Sequence, residues 1–99
     1  MASGNTVYVI LENWRYDTGE KGINVSLFSN YELAKVKYEE LKRDYTVDYE
    51  EYHTHGLKFN ETINDKGEYI ELEAHDTDNY NYFNITVFKE KVKENLKNE

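Results

Sequence analysis

Hydrophobic alternation with a period of two recurs five times along this chain and is interrupted by one stretch of helical period, an arrangement that restricts the fold severely. In the first stretch Val7, Val9 and Leu11 alternate with Tyr8, Ile10, Glu12 and Trp14, so apolar groups fall on both faces, as in a strand with neighbours on both sides. Glycine-punctuated turn material over residues 17–22 leads into Ile23, Val25 and Leu27, which alternate with Asn24 and Ser26 in a return strand. Further on, Leu57, Phe59 and Ile63 share one parity. Asn64-Asp65-Lys66-Gly67 reads as a type I turn with Gly67 left-handed, and Ile70, Leu72 and Ala74 return. A turn over residues 76–79 precedes Phe83, Ile85 and Val87, which alternate with Tyr82, Asn84, Thr86 and Phe88 and close a three-strand meander.

The helical stretch opens on Ser29-Asn30-Tyr31-Glu32, which has the form of a capping box with Ser29 as N-cap. Ala34, Tyr38, Leu41 and Tyr45 make one apolar stripe flanked by Leu33 and Val36, while Lys35, Glu39, Lys42 and Arg43 face water. The helix is expected to end near Tyr45, before the β-branched Thr46 and Val47, leaving residues 48–52 as a short strand or extended loop. Phe88, Val92 and Leu96 recur every four residues and suggest a short C-terminal helix. The expected architecture is an α+β two-layer sandwich, β-β-α-β-β-β, with a mainly antiparallel sheet and one helix packed on one face.

Ninety-nine residues suit one domain, placed over residues 6–99, with residues 1–5 expected to be a disordered N-terminus or a cloning remnant. The absence of cysteine removes disulfides, thiolate nucleophiles and sulfur-ligated zinc, which fits a reducing cytoplasm. No stretch approaches a membrane span, and no basic, apolar leader opens the chain. Mean hydropathy is low at -0.93, but 15% aromatic residues supply material for a core.

Charge is unevenly placed. Between Asp44 and Phe88 stand eleven carboxylates and two lysines, Lys58 and Lys66, a balance of -9 in a chain whose net charge is -8. Six of the ten tyrosines lie in the same region. Such a field repels phosphate backbones, so direct nucleic-acid binding is not expected; the expected partner is a basic protein surface.

Residues 6–52 also carry a likeness. The run Val7-Tyr8-Val9-Ile10, the strand-to-helix joint from Val25 to Lys35 and the acidic Val47-Asp48-Tyr49-Glu50-Glu51-Tyr52 resemble small β-β-α-β proteins of Firmicutes, their phages and other mobile elements. Those proteins commonly show a "VYVV" strand, a "GVFSSxEKAK" joint and an "IEEYE" third strand. The resemblance implies a similar fold and a bacterial or phage origin. The family has no established general function, so no site residues transfer.

Catalytic chemistry finds little purchase. Ser3, Ser26 and Ser29 lie in no nucleophile elbow, and Gly19 and Gly22 match no phosphate-binding loop. Asp76-Thr77-Asp78 begins like a calcium loop but has Asn81 and Val87 where glycine and glutamate belong. With twenty acidic residues, carboxylate pairs at glycosidase separations arise by chance. His53 and His55, with His75 or Glu51, could complete a zinc site, against the alternative of loop histidines that titrate near neutrality. The expectation is a non-enzymatic protein without a cofactor.

What remains is an acidic, aromatic face. Tyr69, Glu71 and Glu73 share the parity opposite Ile70, Leu72 and Ala74 and should project outward at intervals of about 6.6–6.8 Å. Extended by Asp44, Asp48, Glu50, Glu51, Asp76 and Asp78, such a row could imitate a phosphate strand and occupy a nucleic-acid-binding enzyme. An inhibitor of a host defence nuclease, of anti-CRISPR or anti-restriction type, is the corresponding functional reading. The alternatives are an accessory domain whose charges only keep it soluble, and a histidine-based metal-binding protein.

Overall fold

A computed structural model of the protein describes residues 5–16, 18–52, 58–75 and 81–92. Two strands, β1 (Asn5–Arg15) and β2 (Lys21–Phe28), precede the one helix among the described residues, α1 (Tyr31–Tyr52). Three more strands follow, β3 (Lys58–Asn64), β4 (Tyr69–His75) and β5 (Tyr82–Val92). All neighbours pair antiparallel in one five-stranded sheet of order β2-β1-β5-β4-β3, and α1 lies across β2, β1 and β5. The expected α+β two-layer arrangement is the one observed. Strand β1, apolar on both sides in sequence, is indeed flanked on both edges, by β2 and β5.

Alternation assigns the two sides of the sheet. Toward the helix point Ile10 of β1, Ile70, Leu72 and Ala74 of β4, and Phe83, Ile85 and Val87 of β5, all fully buried beneath Ala34 and Tyr38. Each large aliphatic side chain withdrawn from water here contributes about 1.5–3 kcal/mol. Leu41 and Tyr45 continue the helix stripe at its half-buried margin, and Trp14, Tyr16 and Phe28 pack around the core.

Four local expectations are corrected. Asn30, not Ser29, caps the helix: its Oδ1 accepts the Leu33 N–H at 2.9 Å and its carbonyl accepts the Ala34 N–H. Asparagine caps as well as serine, and starting one residue later puts Tyr31 at the first helical position, where it is buried. The helix runs 22 residues, through 46–52 rather than stopping near Tyr45. Thr46 Oγ1 donates to the Lys42 carbonyl at 2.6 Å, so this β-branched residue satisfies its hydroxyl within the helix, and no glycine or proline interrupts before Gly56. In the β3–β4 turn the left-handed residue is Glu68 (φ 56°), while the Gly67 N–H donates to Asn64 Oδ1. Phe88 and Val92 belong to β5, because β1 offers them strand partners, Val9 and Asn5. Leu57, Leu96 and the turn at 76–79 lie outside the described residues.

Gly22 is required by packing. A Cβ built there would stand 2.4 Å from the indole of Trp14, its cross-strand partner. Gly22→Ala should therefore displace the only tryptophan of the chain and cost about 1–3 kcal/mol in overpacking. A lowered urea midpoint with red-shifted tryptophan emission is the expected result; unchanged emission would mean that the ring does not rest on Gly22.

Candidate functional site

The carboxylates of the second half divide between the two sides of the sheet, and their surroundings differ. On the helix side three of them sit in a repeated arrangement, each held by one tyrosine and one lysine. The Tyr31 hydroxyl donates to Asp65 Oδ1 at 2.6 Å, and Lys35 Nζ approaches the same oxygen at 3.0 Å. Tyr38 donates to Glu61, which Lys42 meets at 2.9 Å. Tyr8 donates to Glu68 Oε1 at 2.9 Å, with Lys89 at 3.5 Å. Tyr31/Lys35 and Tyr38/Lys42 each stand four residues apart, one helical turn, so both pairs present phenol and ammonium to one carboxylate.

Proton affinities respond accordingly. Asp65 is held below the usual carboxylate range, by the Tyr31 hydrogen bond first and then by Lys35. Burial pushes Glu61 up, but Tyr38 and Lys42 together outweigh it and leave the group lowered. Tyr31 and Tyr38 are both raised well above an ordinary phenol, by burial and then by donation to a carboxylate. Glu12, 5% exposed between sheet and helix, accepts from Tyr45 at 2.9 Å and from Asn24 at 3.1 Å, so each of its oxygens has a donor. These groups clamp α1 and the β3–β4 hairpin to the rest of the molecule.

Among the described residues, the opposite side of the sheet has no helix on it. Its residues fall into cross-strand rows that register makes explicit. One row reads Val25, Leu11, Thr86, Glu71, Thr62; the next Ile23, Asn13, Asn84, Glu73, Asn60; the last Lys21, Arg15, Tyr82, His75, Lys58. Leu27, Val9 and Phe88 form another row at the far end. This face is therefore graded: apolar over β2 and β1, acidic along β4, and basic across one end, where Arg15 stacks over the Tyr82 ring at 5.7 Å.

Tyr69, Glu71 and Glu73 project from β4 onto this open side, as their parity requires, and Tyr69 donates to Glu71 at 3.1 Å. Among the described residues no lysine or arginine forms an ion pair with Glu71 or Glu73. Burial, then the bond to Glu71, raises Tyr69; burial, then Glu73, raises Tyr82. The longer acidic row expected from sequence is divided. Asp44, Asp48, Glu50 and Glu51 belong to α1, in the layer opposite to Glu71 and Glu73, because the helix continues where a strand or loop was expected. Asp76 and Asp78, like His53 and His55, fall outside the described residues. Among the described residues no cluster of histidine, cysteine and carboxylate could hold a metal ion, and no helix is long and apolar enough to cross a membrane.

Sequence reasoning missed two features. The Tyr-x-x-x-Lys repeat at 31/35 and 38/42 was a visible signal for paired carboxylate clamps. The exposure of Ile23, Val25 and Leu27 was not visible, because alternation names a parity without saying which side the helix covers. No protein-family model matches the chain, and neither a curated protein nor a solved structure matches it.

Proposed function

We propose that this is a non-enzymatic binding protein that presents the open side of its sheet to a protein partner, with Glu71 and Glu73 receiving basic side chains and the neighbouring apolar rows receiving apolar ones. The single observation that carries the reading is a five-stranded sheet that, among the described residues, is covered by a helix on one face only, with aliphatic side chains and two carboxylates without an ion pair exposed on the other. Protein interfaces combine an apolar centre with a charged rim in this way, and large exposed apolar patches mark interaction sites. A reducing cytoplasm is the compartment that the cysteine-free composition fits.

The finer proposal, a nucleic-acid mimic that occupies a defence nuclease, draws on the regular spacing of Glu71 and Glu73 and on the likeness of residues 6–52 to phage proteins. It has less to draw on than the broader one: Glu61, Asp65 and Glu68 are bridged by lysines, and the open side also carries Lys21, Arg15 and Lys58.

Affinity capture from bacterial lysate tests both. Glu71→Lys with Glu73→Lys should lower recovery of the captured partner at least tenfold while circular dichroism stays native, and recovery by the wild type should fall as salt rises. Undiminished capture by the double variant would remove the acidic strip from the binding site. Competition by DNA or RNA for the same partner separates the mimic from the broader reading.

A further inference from the structure

Beyond Lys21 at its start, the outer edge of the sheet at β2 lacks the devices that keep edges from pairing. Edge strands are ordinarily guarded by lysine, proline, bulges or inward-pointing charge. From Gly22 to Phe28 the strand reads Gly-Ile-Asn-Val-Ser-Leu-Phe, with no charged residue and no proline. Its open-side residues Ile23, Val25 and Leu27 are 73%, 55% and 65% exposed. The other edge, β3, is guarded: it carries Lys58 and Glu61, its open side shows Asn60, Thr62 and Asn64, and its exposed Phe59 and Ile63 lie on the helix side.

Charge points to what pairs there. Two copies of a chain with net charge -8 repel one another over most of their surfaces. The span from Gly22 to Phe28 is a neutral stretch on an exposed sheet edge, and it is complementary to itself. Antiparallel pairing about Val25 sets Val25 against Val25 of a second copy, Ile23 against Leu27 and Asn24 against Ser26, while the two Lys21 side chains stand at opposite ends of the seam. Polar meets polar, and apolar meets apolar on the open side. Gly22, already covered by the Trp14 indole, falls opposite Phe28, a small residue against a large one.

We propose that β2 is the homodimer edge of this protein, joining two five-stranded sheets into one ten-stranded sheet about a two-fold axis perpendicular to it. The contact is isologous. The unpaired backbone groups of each β2 find partners, both helices lie on the same side, and the apolar halves of the two open faces merge at the centre. Glu71 and Glu73 lie away from the seam, on β4, so this dimer stands independently of the binding role proposed for them.

Sedimentation of the full chain tests it. The wild type should have twice the mass of the 11.8 kDa monomer, with a dimer that tightens as salt screens the repulsion between copies. Val25→Lys and Val25→Glu should each sediment as a folded monomer, since either sets like charges face to face at the axis. Mixing the two variants should restore the doubled mass, a result that misfolding of either could not produce. Glu71→Lys with Glu73→Lys should leave the dimer intact, which separates failure of this proposal from failure of the binding reading. A wild-type mass of 11.8 kDa at every concentration, or a dimer that persists in Val25→Lys, overturns it. Binding of an apolar extended peptide by a monomeric wild type would assign the edge to a foreign strand instead.

Discussion

Phe83→Ala is expected to destabilise the protein by about 3–5 kcal/mol, the range for removing a fully buried phenylalanine, against a total of about 5–15 kcal/mol for a typical domain. Phe83 is completely buried on β5, the middle strand. Its ring stacks on Tyr45 of the helix at 4.8 Å, meets Phe59 of β3 edge-on at 6.4 Å, and lies beside Trp14 and Ala74 in the register. Truncation opens a cavity where helix, edge strand and sheet centre meet, and none of the three can close it alone. Phe88→Ala is the control. On the same strand but on the open side, half-buried, it should cost about 1 kcal/mol for the smaller area returned to water. Urea denaturation of both variants measures the difference; equal costs would mean that the two sides of the sheet are equally covered.

Stability should also depend on pH at both extremes, with a plateau between. Asp65 and Glu61 are more acidic in the folded protein than in the unfolded chain, so the stability they confer is present above the ordinary carboxylate range near pH 4 and is lost as pH falls through their lowered folded values. Tyr31 and Tyr38 are raised, so theirs is present below an ordinary phenol near pH 10 and is lost as pH climbs beyond it. In an alkaline titration followed by phenolate absorbance, Tyr31 and Tyr38 should stay protonated until the fold gives way, while more exposed tyrosines ionise earlier. Tyr38→Phe should remove a hydrogen bond to a charged group, a loss of about 1.5–3 kcal/mol, and should shift the acid limb to higher pH because Glu61 then keeps only Lys42. Ionisation of all ten tyrosines in one step near pH 10 with the fold intact would contradict this account.

The same pairs explain which parts of the structure were legible in the chain. Strand identity was, since alternation is a local property: Ile70, Leu72 and Ala74 needed only their own spacing to be assigned to one side. The helix end was not. Thr46 and Val47 carry a modest propensity penalty, which a back-bonded hydroxyl and the absence of a breaker override. The cap was ambiguous by one residue because Ser29 and Asn30 are comparable caps, and burial of Tyr31 decided between them. For the site, the outward parity of Glu71 and Glu73 was readable, but not the fate of the other acids. Whether a carboxylate meets a lysine is settled by tertiary pairs such as Lys35 with Asp65, thirty positions apart, which no local pattern encodes.

Strand order has a consequence for how the molecule is made. The strand in the middle of the sheet, β5, is the last of the five to leave the ribosome. Before it emerges, β1 with β2 and β3 with β4 are two hairpins with no strand between them, and isolated hairpins are marginal in water. The nascent polypeptide must therefore wait, aliphatic side chains uncovered, until one late segment slots between its two halves, which makes assembly abrupt and places the greatest risk of clumping just before that segment emerges.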